Sequence, residues 1–253
     1  MKHLGKALAI AAIMLATSAH AEIRFGIINE AYAPYTTKDS SGKAIGWEID
    51  LMDAVCEELK EKCTIVDVAW DGLIPALESE KIDVIWSSMS ITEERKKRID
   101  FTDKYYSSTS SMVGPRDGVL GVGSEQLKGK TIGVAVSTVQ SAYFKKHFSE
   151  IAAEKTYATT DESFQDLASG RIDYAFGDTA PIREFLKTDL GKECCEFKGN
   201  VEADDAILGA GVGGGVRKGD DELREKLNGA IKAIRANGKY AEFNKKYFDY
   251  DPY

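Results

Sequence analysis

The sequence predicts an α/β fold of two lobes, each built around its own sheet. Leu77–Asp83 (L-E-S-E-K-I-D) has a similar segment ninety residues later, L-A-S-G-R-I-D at 167–173. A second pair of similar segments, Ile23–Ile27 and Thr131–Ala135, consists of short β-branched runs typical of strands. Predicted strands and helices alternate between these pairs, which favours mainly parallel sheets.

Apolar residues at helical spacing indicate the first predicted helix. Ile49, Met52, Val55 and Leu59 recur on one face, so we predict a helix there. The predicted helices, in chain order, are Trp47–Leu59, Asp71–Glu78 with Asp71 as N-cap, Glu93–Arg98, Val139–Phe148, Ser163–Ala168, Asp221–Asn237 and Lys239–Phe248. The glycine-rich stretch 209–214 is predicted to be a close-packed strand or crossover rather than a nucleotide loop, because no helix opens directly at its glycines.

Residues 1–21 have the pattern of a cleaved signal peptide. Lys2 and Lys6 precede the apolar run Ala7–Ala16, which is too short to span a bilayer. Ala19-His20-Ala21 fits the small-x-small cleavage rule, so the mature chain is expected to begin at Glu22. We therefore expect a soluble protein, exported to a bacterial periplasm.

Charge and histidine content exclude several classes of function. Without Lys2 and Lys6, 31 basic and 41 acidic residues leave a net charge near −10, so no basic surface for nucleic acid is expected. His147 is the one histidine after residue 21, which makes a Ser-His-Asp site or a catalytic zinc site a poor interpretation. We predict no metal and no cofactor.

The four cysteines form two pairs. Cys56 and Cys63 flank a charged helix end, and an oxidising compartment favours a local disulfide between them. Cys194 and Cys195 are adjacent, and three states are open for them: free, bonded to each other, or bonded to another chain.

Residues Trp86–Arg95 suggest a site for an anion. Ser87, Ser88 and Ser90 follow a predicted strand, and Thr92 then begins a helix. Arg95 lies in its first turn, where free backbone N–H groups already favour negative charge. An ordinary Ser/Thr cap with a solvated arginine is the alternative interpretation.

The second lobe offers the complementary charge. Thr138, Gln140 and Asp178 lie where predicted strands end, and ligands of such sheets bind beyond these ends. An arginine facing an aspartate across a cleft matches a zwitterion, of which an α-amino acid is the smallest abundant example.

Longer motifs resemble a known family. They are Y-A-P-Y (32–35), G-W-E-I-D-L (46–51), W-D-G-L-I-P-A-L (70–77), K-I-D-V-I-W-S-S-M-S-I-T-E-E-R (81–95), L-K-G-K-T-I-G-V (127–134), S-G-R-I-D (169–173) and K-K-Y-F (245–248). Together they resemble the periplasmic solute-binding proteins, family 3, of amino-acid ABC transporters, specifically the lysine/arginine/ornithine- and histidine-binding group. The resemblance covers nearly all of Ile23–Asp249.

The resemblance implies a type II periplasmic binding protein fold, with two crossover strands as the hinge. Lobe 1 would comprise residues 22–108 and 208–253, and lobe 2 residues 111–204, with hinges near 108–111 and 204–208. Lobes of this kind close on a ligand by hinge motion. The Cys56–Cys63 spacing also matches the family's local disulfide.

The resemblance also implies the roles of individual side chains. Arg95 would hold the α-carboxylate, helped by Ser90 and the Thr138 N–H, while Asp178 and Ser88 would take the α-ammonium. Tyr32 and Trp70 would sandwich a cationic side chain. The remaining implied pocket residues are Gln140, Ser87 and Met89.

One departure affects ligand choice. The family usually has an acidic residue three positions before the tyrosine, whereas this chain has Asn29 there and Glu30 next. If Glu30 faces the ligand, arginine, lysine or ornithine fits; if Asn29 does, a neutral, zwitterionic or opine-like side chain becomes credible.

The resemblance implies a monomeric receptor without catalytic activity. It would bind a cationic L-amino acid (arginine, lysine, ornithine or histidine) and deliver it to an inner-membrane ABC permease. The alternatives are a receptor for another polar amino acid or an opine, a same-fold periplasmic dehydratase with Glu30 as acid–base, and a sensory input module.

Overall fold

The computed structural model describes residues 22–253, and the predicted signal peptide lies outside the described residues. The first part of the chain contains β1 (Ile23–Ile28), β2 (Thr37–Lys38), β3 (Ala44–Ile45), α1 (Trp47–Leu59), β4 (Cys63–Val68), a 3-10 turn (Trp70–Gly72), α2 (Leu73–Glu78), β5 (Val84–Ile85), α3 (Glu93–Lys96) and β6 (Ile99–Phe101).

The chain then enters a second sheet and later returns. The second group is β7 (Ser110–Pro115), α4 (Ser124–Leu127), β8 (Thr131–Ala135), α5 (Val139–His147), β9 (Ala153–Tyr157), α6 (Thr160–Ala168), β10 (Tyr174–Asp178), α7 (Thr179–Phe185), α8 (Asp189–Cys194) and β11 (Cys195–Asn200). After the return come α9 (Asp205–Leu208), β12 (Gly215–Arg217), α10 (Asp221–Ala236) and α11 (Lys239–Tyr247).

Two five-stranded sheets confirm the two-lobed α/β prediction. Their strand orders are β4-β1-β5-β12-β6 and β11-β7-β10-β8-β9. The prediction of mainly parallel sheets was wrong, because both sheets are mixed. β12 returns from the second sheet and pairs antiparallel with β5 and β6, while β7 pairs antiparallel with β10 and β11.

Helix starts depend on local capping. α1 has the predicted bounds, but Asp71 lies in the 3-10 turn and does not cap α2, which begins after Gly72. α6 starts at Thr160 rather than Ser163, because Thr159 and Glu162 form a capping box. Most of the other predicted helices differ by one or two residues at their C-terminal ends.

The two connections between the sheets touch each other. The Tyr105 N–H donates to the Val212 carbonyl and the Val212 N–H donates to the Tyr106 carbonyl, both at 2.9 Å. Gly211 has φ 126°, and a Cβ there would approach the Tyr106 carbonyl oxygen to 3.0 Å. The glycine-rich stretch is therefore needed for close passage at this crossing. The exact lobe and hinge boundaries stay a prediction.

Each lobe has its own core. Trp47, Trp86, Tyr105 and Ile231 are buried together in the first lobe, and Phe176 belongs to a core of the second. A Cys56–Cys63 disulfide joins the end of α1 to β4, as predicted. Cys194 and Cys195 are bonded to each other, which selects one of their three open states. Within residues 22–253, no helix is long and apolar enough to cross a membrane.

Candidate functional site

A cavity lies between the lobes, where the strands of both sheets end. About 530 Å³ of space not filled by protein atoms lies along its walls, part of it open to solvent. The first lobe contributes Ile28, Glu30, Ala31, Tyr32, Trp70, Ser87, Ser88, Ser90 and Arg95, and the second contributes Ala135, Thr138, Val139, Gln140, Ala158, Thr159, Thr160 and Asp178. Charged and hydroxyl-bearing residues thus face one another across the cleft.

Arg95 supplies a cation at the first-lobe wall. Its N–H donates to the capping Thr92 hydroxyl, and its guanidinium donates through Nη1 to the Ser90 carbonyl (2.9 Å) and through Nη2 to the Ser137 carbonyl (3.2 Å). The guanidinium carbon lies 5.3 Å from the centre of a Trp70 ring. Burial lowers the pKa of Arg95 to about 10, so it is charged at neutral pH. No carboxylate in residues 22–253 forms an ion pair with it.

Asp178 supplies the opposite charge at the end of β10. Its side chain is nearly enclosed and accepts hydrogen bonds from Tyr32 Oη (2.6 Å) and Gln140 Nε2 (2.8 Å). Burial raises the pKa of Asp178, an effect opposed by these hydrogen bonds and by the charge of Arg95. The Tyr32 phenol and the Gln140 amide are neutral donors, and residues 22–253 provide no ion-pair partner, so the buried carboxylate lacks a contacting counter-charge.

Ser88 lines the same cavity in a left-handed conformation, with φ 53°. Its N–H and its hydroxyl donate to Glu48 Oε1 (2.7 Å) and Oε2 (2.8 Å). Since the hydroxyl proton is used, the oxygen lone pairs remain available to accept a proton donor. No role was predicted for Glu48, although an acid aligned with Met52 and Val55 on an apolar helix face is a signal in the sequence.

Three other residues predicted for the site, Ser87, Met89 and Thr138, differ in their contacts. The Ser87 hydroxyl accepts a hydrogen bond from the Ile28 N–H at 2.9 Å and so links β5 to β1 while lining the cavity. Met89 packs into the first-lobe core and does not line the cavity. The Thr138 hydroxyl caps α5 by accepting from the Ser141 N–H and donates to the Ala135 carbonyl, so its proton is used within its own lobe.

Asn29 and Glu30 differ in their relation to the cavity. Glu30 lines the cavity and burial raises its pKa, whereas Asn29 is exposed and lies outside the lining. Tyr32 and Trp70 both line the cavity; their contact with a ligand side chain stays a prediction. Tyr32 also bridges the lobes through its hydroxyl.

Part of the second-lobe wall was missed. Ala158, Thr159 and Thr160 run from the end of β9 into the start of α6. They line the second-lobe side of the cavity. The sequence carries a signal for them, because a Thr-x-x-Glu capping box directly follows a strand end.

Residues 23–250 match the bacterial extracellular solute-binding proteins, family 3. The chain belongs to this family. One family 3 relative, the histidine-binding periplasmic protein of Escherichia coli (strain K12), is 42% identical over 233 residues, covering 91% of this chain and 89% of the relative. The L-arginine-binding protein of Pseudomonas aeruginosa is 41% identical, with coverage of 98% and 96%.

Solved structures have the same architecture. An ancestral arginine-binding protein bound to arginine superposes with a TM-score of 0.80 and 34% identity, covering 90% of this chain and 98% of that chain. This likeness confirms the two-lobed α/β binding-protein fold for the family 3 chain.

Proposed function

We propose that this protein is the periplasmic substrate-binding component of an amino-acid ABC importer. It binds a cationic L-amino acid (arginine, lysine, ornithine or histidine) between its lobes and delivers it to the inner-membrane permease. The observation that carries the proposal is the pair Arg95 and Asp178. These opposite charges line one cavity from different lobes, and neither has an ionic partner within residues 22–253.

The α-carboxylate is bound at Arg95. Two of its guanidinium N–H groups are held by the Ser90 and Ser137 carbonyls, which fix the plane of the fork. The remaining N–H groups are free to donate to a carboxylate, and such charge-assisted bonds are about twice as strong as neutral ones. The Trp70 ring supports the guanidinium from one face.

The α-ammonium is bound at Asp178 and Ser88. Asp178 provides the negative charge, and the Ser88 hydroxyl oxygen accepts a further hydrogen bond. Bound this way, the ligand neutralises both buried charges of the cleft at once, and this is why a zwitterion suits it better than a simple anion or cation.

Glu30, Tyr32 and Trp70 select the ligand side chain. Glu30 offers a carboxylate to a distal cation, and the aromatic faces favour a guanidinium, ammonium or imidazolium. The names of the relatives, which bind histidine or arginine, support the same ligand class. Since Asn29 lies outside the cavity, a neutral or opine-like ligand is the weaker alternative.

A thermal-shift screen over amino acids and opines tests the proposal. A ligand that binds the folded state alone increases the unfolding free energy by mass action, by about 2.7 kcal/mol at a hundredfold excess over Kd, and so raises the melting temperature. We expect arginine, lysine, ornithine or histidine to give the largest shift. Stabilisation by an opine or by neutral amino acids alone would contradict the ligand class, and no shift from any of them would contradict the receptor function.

The enzymatic alternative needs a separate experiment. Incubation of the purified protein with candidate dehydratase substrates, followed by NMR, is expected to leave them unchanged. Product formation that is lost in Glu30→Gln would contradict the proposal and assign Glu30 as an acid–base group.

Periplasmic location is tested by cell fractionation and by N-terminal sequencing of the mature protein, whose first residue is expected to be Glu22.

A further inference from the structure

Glu48 is a buried carboxylate for which the ligand contacts proposed above provide no role. It is 1% exposed in the first turn of α1 and lies outside the cavity lining. It accepts from the Ser88 N–H, the Ser88 hydroxyl and the Tyr105 hydroxyl (2.5 Å). All its hydrogen-bond donors are neutral, and no cation in the described part of the chain pairs with it. Burying such a charge is costly unless it serves the site.

The surroundings fix Glu48 from several sides. The Trp86 indole N–H donates to the Glu48 carbonyl at 2.9 Å, which ties α1 to the residue after β5. Tyr105 stacks on Trp86 with ring centres 4.4 Å apart, and this places its hydroxyl against the carboxylate. The carboxylate is therefore held rigidly, and it in turn holds Ser88 by two bonds in a left-handed conformation.

The consequence for Ser88 is chemical. Burial raises the pKa of Glu48. An ionised carboxylate can only accept, so while Glu48 is ionised the Ser88 hydroxyl points its proton at Glu48 and its lone pairs elsewhere. The hydroxyl is thereby set as an acceptor. The negative charge of Glu48 also polarises it in a site of low dielectric.

Building on the proposed function, we infer that Glu48 is a positioning residue that sets the Ser88 hydroxyl to accept from the α-ammonium of the ligand. The ammonium then compensates two buried carboxylates, Asp178 by direct contact and Glu48 through Ser88. Glu48 thus selects for ligands that carry a free α-amino group without touching them.

Glu48→Gln tests this inference. The glutamine amide can donate to the Ser88 oxygen, which then no longer presents its lone pairs to the ligand. The matched control is Glu58→Gln, the same substitution at an exposed site of α1. Kd is measured by fluorescence titration for L-arginine and for 5-guanidinopentanoic acid, which lacks the α-amino group. If wild type prefers another amino acid, that ligand and its deamino analogue replace them.

We expect Glu48→Gln to weaken arginine binding by about tenfold or more and to change binding of the deamino compound by less than about twofold. A purely structural role weakens both ligands by the same factor, and that outcome overturns the inference, as does unchanged arginine binding. A wild-type protein that binds no amino acid contradicts the proposed function instead, so the two failures are distinguishable.

A double-mutant cycle with Ser88→Ala decides the matter even when the deamino compound binds too weakly to measure. If Glu48 acts through Ser88, Glu48→Gln costs much less arginine affinity in the Ser88→Ala background than in wild type. Equal losses in both backgrounds overturn the inference. Urea unfolding of each variant without ligand verifies that the compared proteins are folded.

Discussion

Replacing Asp178 by asparagine separates binding from folding. The change removes the charge but keeps the shape, and the neighbours can adapt. Gln140 Nε2 can still donate to the remaining oxygen, and the Tyr32 hydroxyl can turn to accept from the new amide. Loss of one partner of a buried ion pair costs about 3–5 kcal/mol, so Kd for the amino acid should rise by roughly two to three and a half orders of magnitude.

Stability without ligand should respond in the opposite way. Asp178 is a buried carboxylate without a contacting cation, so Asp178→Asn relieves a desolvation cost. We expect the unliganded variant to be at least as stable as wild type. Calorimetric titration and urea unfolding measure the two effects, with exposed Asp189→Asn as the control. An Asp178→Asn protein that binds arginine within about tenfold of wild type would refute the assignment of the ammonium site.

The pH dependence has a definite sign. Burial raises the folded-state pKa of Asp178 above its ordinary value of 3.8, so between these two values the folded protein binds more protons than the unfolded chain. Stability from this group therefore falls as pH rises through that window and is regained as pH falls toward 3.8. Compared with Asp178→Asn, unliganded wild type should gain stability on acidification, while its ligand affinity falls because the carboxylate becomes protonated.

Four further changes give distinct outcomes. Arg95→Ala should cost several kcal/mol of binding free energy, because a buried ligand carboxylate loses its partner, and unchanged calorimetric binding would contradict the carboxylate site. Glu30→Gln should weaken arginine binding about tenfold while Asn29→Ala leaves it nearly unchanged; titrations showing the reverse order would favour Asn29 as the side-chain contact. Replacing Cys56 and Cys63 by serine should lower the unfolding free energy by about 2 kcal/mol in urea melts without changing Kd, and a large loss of affinity would instead connect this disulfide to the site.

Local patterns predicted much of the fold. The apolar face of α1 gave its bounds, since helical periodicity is a local property. The mixed sheets were not predicted, because the antiparallel pairing of β12 with β5 joins residues more than a hundred positions apart. Alternation of strands and helices does not reveal which strand returns from the other lobe.

The sequence indicated the charged pair of the candidate site, but not the buried residue that holds Ser88 beside it. Arg95 and Asp178 are signalled by their positions at strand ends and by family motifs. Glu48 was missed because its role depends on a contact with Ser88 forty positions away. Whether Asn29 or Glu30 faces the cavity depends on the path of the loop after β1. The local sequence does not specify that path.

Calorimetric titration with L-arginine, agmatine and 5-guanidinopentanoic acid tests the central claim most directly. Agmatine lacks the α-carboxylate that Arg95 binds, and 5-guanidinopentanoic acid lacks the α-ammonium that Asp178 binds. The account predicts that arginine binds at least about a hundredfold more tightly than either analogue, since each analogue leaves one buried charge unpaired. Equal affinity for agmatine and arginine would contradict this claim. So would a protein that binds neither these three compounds nor any other amino acid.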